Sequence, residues 1–266
     1  MSQNIKALRN RIKSVNSTLH LTKAMGLVAS SKIKKANDAM QKGRAYKTAL
    51  LETVSLLAAS SECKKSPYMQ KRDGGRLRII VIAADRGMAG GYNANIFRFM
   101  RDYPNAEIIA IGKRACDRYH RKYRSSEHFT SAEAMEIAKE QCRDYLDGKF
   151  DTLAIVSTEY ISAMSQAPTY TEVLPLKYHE RTSVSTIFEP DELTVLSSVV
   201  PEYVAGMISV SVRESFACEV NARRAAMDSA GKNANEMINE LQLSYNRARQ
   251  GAITQEITEI VAGSGV

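Results

Sequence analysis

Residues 5–43, IKALRNRIKSVNSTLHLTKAMGLVASSKIKKANDAMQKG, place an apolar or small residue at alternating steps of three and four. The series is Ile5, Leu8, Ile12, Val15, Leu19, Thr22, Gly26, Ala29, Ile33, Ala36, Met40 and Gly43, and its register continues through Lys47, Leu50, Val54 and Leu57. This is the seven-residue repeat of one helix with one buried seam, held well beyond the three or four heptads that define a coiled coil. In the middle, Thr22, Gly26 and Ala29 replace bulky knobs, which predicts close approach of another helix at some cost in helix propensity. A helix over 3–58 would be roughly 80 Å long. No compact domain of this mass buries such a rod along its whole length.

The other end of the chain supplies a mate. All six prolines fall between Pro67 and Pro201. Proline breaks helix interiors, so each flanking arm is free to be a long helix. From about Glu202 to Ala262 the pattern returns: Ala234, Ile238, Leu241, Tyr245, Ala248 and Ala252 step by four and three, and Ile253, Ile257 and Ile260 carry apolar character onward. Gly263 and Gly265 stand where helix-ending glycines are favoured. We expect 1–60 and 202–266 to wind into an intramolecular antiparallel coiled coil, joined by a middle segment, 70–200.

That middle reads as a Rossmann-like α/β domain. Leu77–Ala84 (LRIIVIAA), Ala106–Ile111 and Thr152–Ser157 are short apolar runs bounded by turn residues, the pattern of buried strands. Helical stretches fit Asn93–Asp102, Lys113–Tyr123 and Ser131–Leu146, and strand–helix alternation predicts a parallel sheet. Tyr170–Tyr178 alternates and adds an edge strand, with Pro175 suited to an edge.

Composition narrows the function classes. The chain has 266 residues, 44% apolar and 25% charged, with 7% aromatics and no Trp, a mixture that favours helices packed through small side chains. The longest uninterrupted apolar run, Ile79–Ala84, is far short of the ~20 residues of a spanning helix, and the polar start MSQNIKALRNRIKSVN lacks the apolar region of a secretory signal. We therefore expect neither membrane insertion nor secretion. Cys63, Cys116, Cys142 and Cys218 lie far apart, as do the four histidines, which predicts reduced thiols and no metal site. Of the net charge of +8, residues 1–60 hold eleven Lys/Arg against Asp38 and Glu52, so the excess is assigned to the N-terminal arm.

Three motifs carry functional alternatives. The loop DRGMAGGYN (85–93) follows a strand and opens a helix, where phosphate sites occur in α/β proteins, and a nucleotide-dependent enzyme is one reading. It contains neither GxGxxG nor GK[ST], so a tight turn needing positive φ is the better one. The basic first arm admits a nucleic-acid binder, yet 1–45 contains no interleaved aromatics for base stacking. No catalytic constellation stands out. In 241–263, polar residues with fixed-geometry donors alternate with small apolar ones all round the helix, which fits enclosure by a larger protein.

LTKAMGLVASSKIKKA (21–36), DRGMAGGYN (85–93), EPDEL (189–193), the set Glu219, Arg223, Ala226 and Met227, and YNRARQGAITQEITEIVAG (245–263) together resemble the γ subunit of bacterial F-type ATP synthases. The resemblance spans essentially the whole chain and implies a non-catalytic rotor shaft without cofactor. Its coiled coil would enter the α3β3 ring, its base would sit on the c-ring with subunit ε, and rotation would drive each catalytic β site through its states. The location implied is the cytoplasmic side of the cell membrane, peripherally bound, with no nucleic acid partner. Residue by residue, the resemblance implies that Arg249, Gln250 and Thr254 hydrogen-bond a β-subunit catch loop and that Lys23 and Met25 meet a β lever. It implies a bearing tip over 257–266, including Ile257, Ile260 and Val261. It implies that Lys34, Lys35, Arg44, Tyr46, Glu189, Asp191 and Glu192 form the foot on the c-ring and ε. Gly26 after Met25, and Arg224 beside Arg223, depart from the family's usual pattern.

Overall fold

A computed structural model of the chain describes residues 2–72, 74–177 and 188–263, without the side chains of 2–4. The elements in order are α1 (Ser2–Ala58), β1 (Leu77–Ile82), α2 (Tyr92–Phe99), β2 (Glu107–Ile111), α3 (Lys113–Tyr119), α4 (Ser131–Leu146), β3 (Thr152–Tyr160), β4 (Gln166–Leu174) and α5 (Glu192–Gly263). Contacts divide the chain into two units, Met1–Ser31 with Arg223–Val266, and Lys32–Ala222.

The first unit is an antiparallel pair of helices. Leu19, Thr22, Gly26 and Ala29 are buried and Ile5, Leu8, Ile12 and Val15 half-buried, so the heptad seam of α1 is the face that packs. Leu19 and Val15 cluster with Ala234 and Ile238 of α5. Gly26 lies opposite Met227, while Ile5 and Arg9 share a groove with Tyr245 and Ala252. Descending numbers on α1 meet ascending numbers on α5, which fixes the antiparallel sense. Buried Thr22 turns its hydroxyl to the Leu19 carbonyl at 2.9 Å, so its polarity is satisfied within the helix. A methyl on Gly26 would stand 3.5 Å from Met227 Cβ, an ordinary contact, so the helices leave room there.

In the second unit a four-stranded sheet of order β2-β1-β3-β4 is covered on both faces. β1 pairs in parallel with β2 (Arg78↔Glu107) and with β3 (Leu77↔Thr152), and β4 pairs antiparallel with β3 (Tyr160↔Gln166). The period of two along β1 sorts its side chains. Ile80 and Ile82 join α4, Leu57 of α1 and Val200, Val204 and Ile208 of α5, whereas Ile79 and Val81 join Ile96 of α2, Cys116 of α3 and Cys218 of α5. α4 starts at a capping box in which Thr130 Oγ1 accepts from the Glu133 N–H and Glu133 accepts from the Thr130 N–H.

Some boundaries differ from the sequence reading, for identifiable reasons. α3 stops at Tyr119 instead of Tyr123 because His120 adopts φ 51° and turns the chain. The edge strand is Gln166–Leu174, so Pro168 and not Pro175 is the proline within it, and Tyr178 lies outside the described residues. α5 begins at Glu192 and takes Pro201 into its interior, the Ser197 position four residues back being exposed. The count of uninterrupted apolar residues also misses one feature: an 18-residue window of α5 has mean hydropathy 1.5, enough by length and composition to cross a membrane. Of that window, 61% is buried inside the protein, as in the core helix of a folded unit.

Candidate functional site

Toward the end of α5 the seam residues give way to exposed ones. Arg249, Gln250 and Thr254 are all exposed. Gln250 and Thr254 lie one turn apart, linked by the Thr254 hydroxyl to the Gln250 carbonyl at 3.0 Å, and Arg249 stands beside them. Ile253, Ile257 and Ile260 form an exposed apolar stripe at helical spacing, 47%, 56% and 69% accessible, with Val261 next to it. Residues 264–266, the rest of the expected tip, lie outside the described residues.

On α1, Lys23 is exposed and Met25 half-buried. Around them are three exposed apolar residues that the sequence reading passed over, Leu21, Leu27 and Val28. Leu21 and Val28, seven residues apart, share one side of the helix away from the seam. The signal was present: these three are large apolar residues that violate the three-four spacing.

The residues assigned to a foot are spread along the second unit. Lys34 and Lys35 are exposed on α1, roughly six helical turns from its end at Ala58. Arg44 instead turns inward: Nη2 donates to the Tyr160 carbonyl at 2.7 Å and to Glu214 Oε1 at 2.5 Å. The Glu214 hydrogen bond raises the guanidinium pKa above its ordinary value. Tyr46, 47% exposed, packs over Gly206 of α5. Glu189 is exposed. Asp191 caps α5, accepting the Thr194 N–H at 2.9 Å and the Thr194 hydroxyl at 2.7 Å, and the Thr194 N–H first of all holds this carboxyl below the usual range. Glu192 accepts a hydrogen bond from Ser60. Glu189, Asp191 and Glu192 therefore gather near the end of α1, apart from Lys34 and Lys35.

The loop 85–93 is built as a turn. Gly90 takes φ 58° and Met88 φ 60°, while Gly91 precedes the first turn of α2. At the strand tip the Asp85 carboxylate accepts from the N–H groups of Lys113 (3.0 Å), Ser126 (3.0 Å) and Glu127 (3.0 Å) and from the Ser125 hydroxyl (2.7 Å). Burial pushes this carboxyl up, but the donors from Glu127, Ser125, Lys113 and Ser126 outweigh it and hold its pKa below the usual range. The N–H groups of Lys113, Ser126 and Glu127 at this strand end thus already serve a fixed anion. Among the described residues no group of three or more His, Cys, Asp and Glu is placed to hold a metal ion.

A family model described as ATP synthase matches residues 4–265. The chain belongs to the ATP synthase gamma family. The ATP synthase gamma chain of Desulforamulus reducens is 38% identical, over 97% of this chain and 96% of that one. The gamma chain of Ruminococcus albus is 38% identical over 98% of each, and the sodium ion specific gamma chain of Acetobacterium woodii 33% identical over 99% of each. Among solved structures, a chain of the Euglena gracilis mitochondrial ATP synthase OSCP/F1/c-ring superposes with a TM-score of 0.70 at 17% identity, covering 100% of this chain and 97% of that one. At that identity the likeness speaks for the fold alone. Membership does not favour a free-standing nucleotide-dependent enzyme built on 85–93. Relatives are named as one chain of a larger enzyme.

Proposed function

We propose that this chain is the central shaft of a rotary ATP synthase, coupling ion-driven rotation of a c-ring to conformational change in catalytic β subunits. It supplies no catalytic residue. One observation carries the reading: the first part of α1 and the last part of α5 form a two-helix unit that buries its own seam and leaves fixed-geometry donors and an apolar stripe exposed on α5. Hydrogen bonds are directional and favour particular angles, whereas apolar contact is not. Arg249, Gln250 and Thr254 thus suit a catch that engages a β loop at defined rotor angles. Ile257, Ile260 and Val261 suit a bearing in which the shaft turns. Lys23 and Met25, with Leu21, Leu27 and Val28 beside them, suit contact with a β lever that is pushed mechanically.

Glu189, Asp191 and Glu192, with Tyr46, fit a foot on the c-ring and ε, while Arg44 is held inward by Glu214 and Lys34 and Lys35 add exposed charge farther along α1. The complex would hold the chain peripherally on the cytoplasmic side of the cell membrane, with α and β subunits as the enclosing ring. The domain division that goes with this role is 1–60 and 202–266 as shaft helices and 70–200 as the central domain. Purification of the ATPase from membranes, followed by single-molecule rotation, tests the proposal. A rotating complex whose axle is this chain is expected. A fully coupled complex that lacks the chain would refute it.

A further inference from the structure

The charge sum hides a second basic cluster. Residues 113–124, KRACDRYHRKYR, hold Lys113, Arg114, Arg118, Arg121, Lys122 and Arg124 against Asp117. The first five are exposed, Arg124 is half-exposed, and Tyr123 stands among them with 57% of its surface accessible. Among the described residues none of the six enters an ion pair.

The cluster is held rigid. His120 ends α3 in the left-handed region, and the Arg121 N–H returns to the Cys116 carbonyl at 3.0 Å. The Gly112 N–H donates to the Arg124 carbonyl at 2.8 Å, and Asp85 then grips Ser125, Ser126 and Glu127. Arg118 lies 4.8 Å over the Phe97 ring, whose edge meets Tyr119. Like charges fixed close together repel and contribute nothing to folding. Four of these six are arginines, whose planar fork matches carboxylates in pairs.

We propose that 113–124 is a docking surface for an acidic segment of another subunit of the same complex. The inference rests on the subunit reading above. Nucleic acid is a poorer match: single-strand sites join a charged track to several stacking aromatics, and this patch exposes one large aromatic, Tyr123, in the loop that follows the seven-residue α3. Membrane docking through an amphipathic helix needs an apolar face, and the exposed positions of α3 are Lys113, Arg114, Asp117 and Arg118.

The test uses the purified membrane complex carrying a benzophenone amino acid at Tyr123, irradiated and mapped by mass spectrometry. Composition of the complex is read first: absence of the chain sinks the subunit reading itself. With the chain present, the expected adduct is one protein segment with a clear excess of Asp and Glu. Its yield should fall about fivefold with Arg121→Ser/Lys122→Ser or in about 0.5 M salt. Equal charge removed elsewhere, by Lys71→Ser/Lys139→Ser, should leave the yield unchanged. An adduct to lipid, to nucleic acid or to a segment without acidic excess overturns the proposal, as does no adduct or an equal loss in the control.

Discussion

Asp85→Asn is the sharpest probe of the loop that follows β1. Asparagine keeps the shape but loses the charge, and its amide hydrogens face the donors that the carboxylate now accepts. The N–H groups of Ser126 and Glu127 each sit 3.0 Å from Oδ2, so one oxygen's set of bonds becomes donor against donor. Hydrogen bonds to a charged group contribute about 1.5–3 kcal/mol each, and the low end applies because Asp85 is only half-buried. Two such bonds lost give about 3 kcal/mol, or about 6–12 °C in Tm for a unit of this size. The sign with pH is fixed. The folded carboxyl titrates below its unfolded value, so its contribution is full above about pH 4 and is lost as pH falls through the depressed folded value. The gap between wild type and Asp85→Asn should therefore be widest at neutral pH and close in acid. With no Trp and twelve Tyr, urea unfolding followed by tyrosine fluorescence at both pH values reads it directly. A gap under about 1 kcal/mol at neutral pH, or one that persists unchanged in acid, refutes the structural role. Intact stability with selective loss of ATP affinity would restore the nucleotide reading.

Arg249→Ala and Gln250→Ala, at exposed positions, should leave stability within about 0.5 kcal/mol while lowering both synthesis and hydrolysis in the assembled complex. Unchanged turnover removes them from the catch. Gly26→Ala should raise stability by about 0.5–1 kcal/mol in chemical denaturation, since the methyl meets Met227 at 3.5 Å and helix propensity improves; a clear loss would mean the helices approach more closely than the structure has them. Gly112→Ala should cost more than about 3 kcal/mol, because Gly112 has φ 90° and a Cβ would collide with the Ala83 carbonyl oxygen. Near-wild-type melting of that variant would show that the turn can be rebuilt.

What was legible in the sequence was what is local. Every seam position from Ile5 to Leu57 is buried or half-buried, Lys47 included, because the repeat of a helix is written in consecutive residues. Strand existence followed equally from LRIIVIAA, but not the role of Arg78 within it. That side chain is buried against Glu107, Gln141 and Asp144, with bonds of 2.6 to 2.8 Å, and its partners are 29 to 66 residues away. The same distance in sequence concealed Arg44 with Glu214, and Glu192 with Ser60, 170 and 132 residues apart. Those foot residues carry charge that the fold itself consumes.

That distinction sorts the candidate contacts by physics. A charge with an inward partner, such as Arg44 or Asp191, offers little free energy to another subunit, since docking would have to break a bond already made. Lys34, Lys35 and the 113–124 cations enter no ion pair among the described residues, so docking a carboxylate replaces only water. Summing charge over residues 61–266 cancelled the cluster against acids elsewhere and left it invisible. Local charge density on a fixed backbone, not net charge, is the quantity that decides where an acidic neighbour binds. If the two Ser substitutions at Arg121 and Lys122 act no differently from charge removal at Lys71 and Lys139, net charge is what matters and that ordering of the contacts fails.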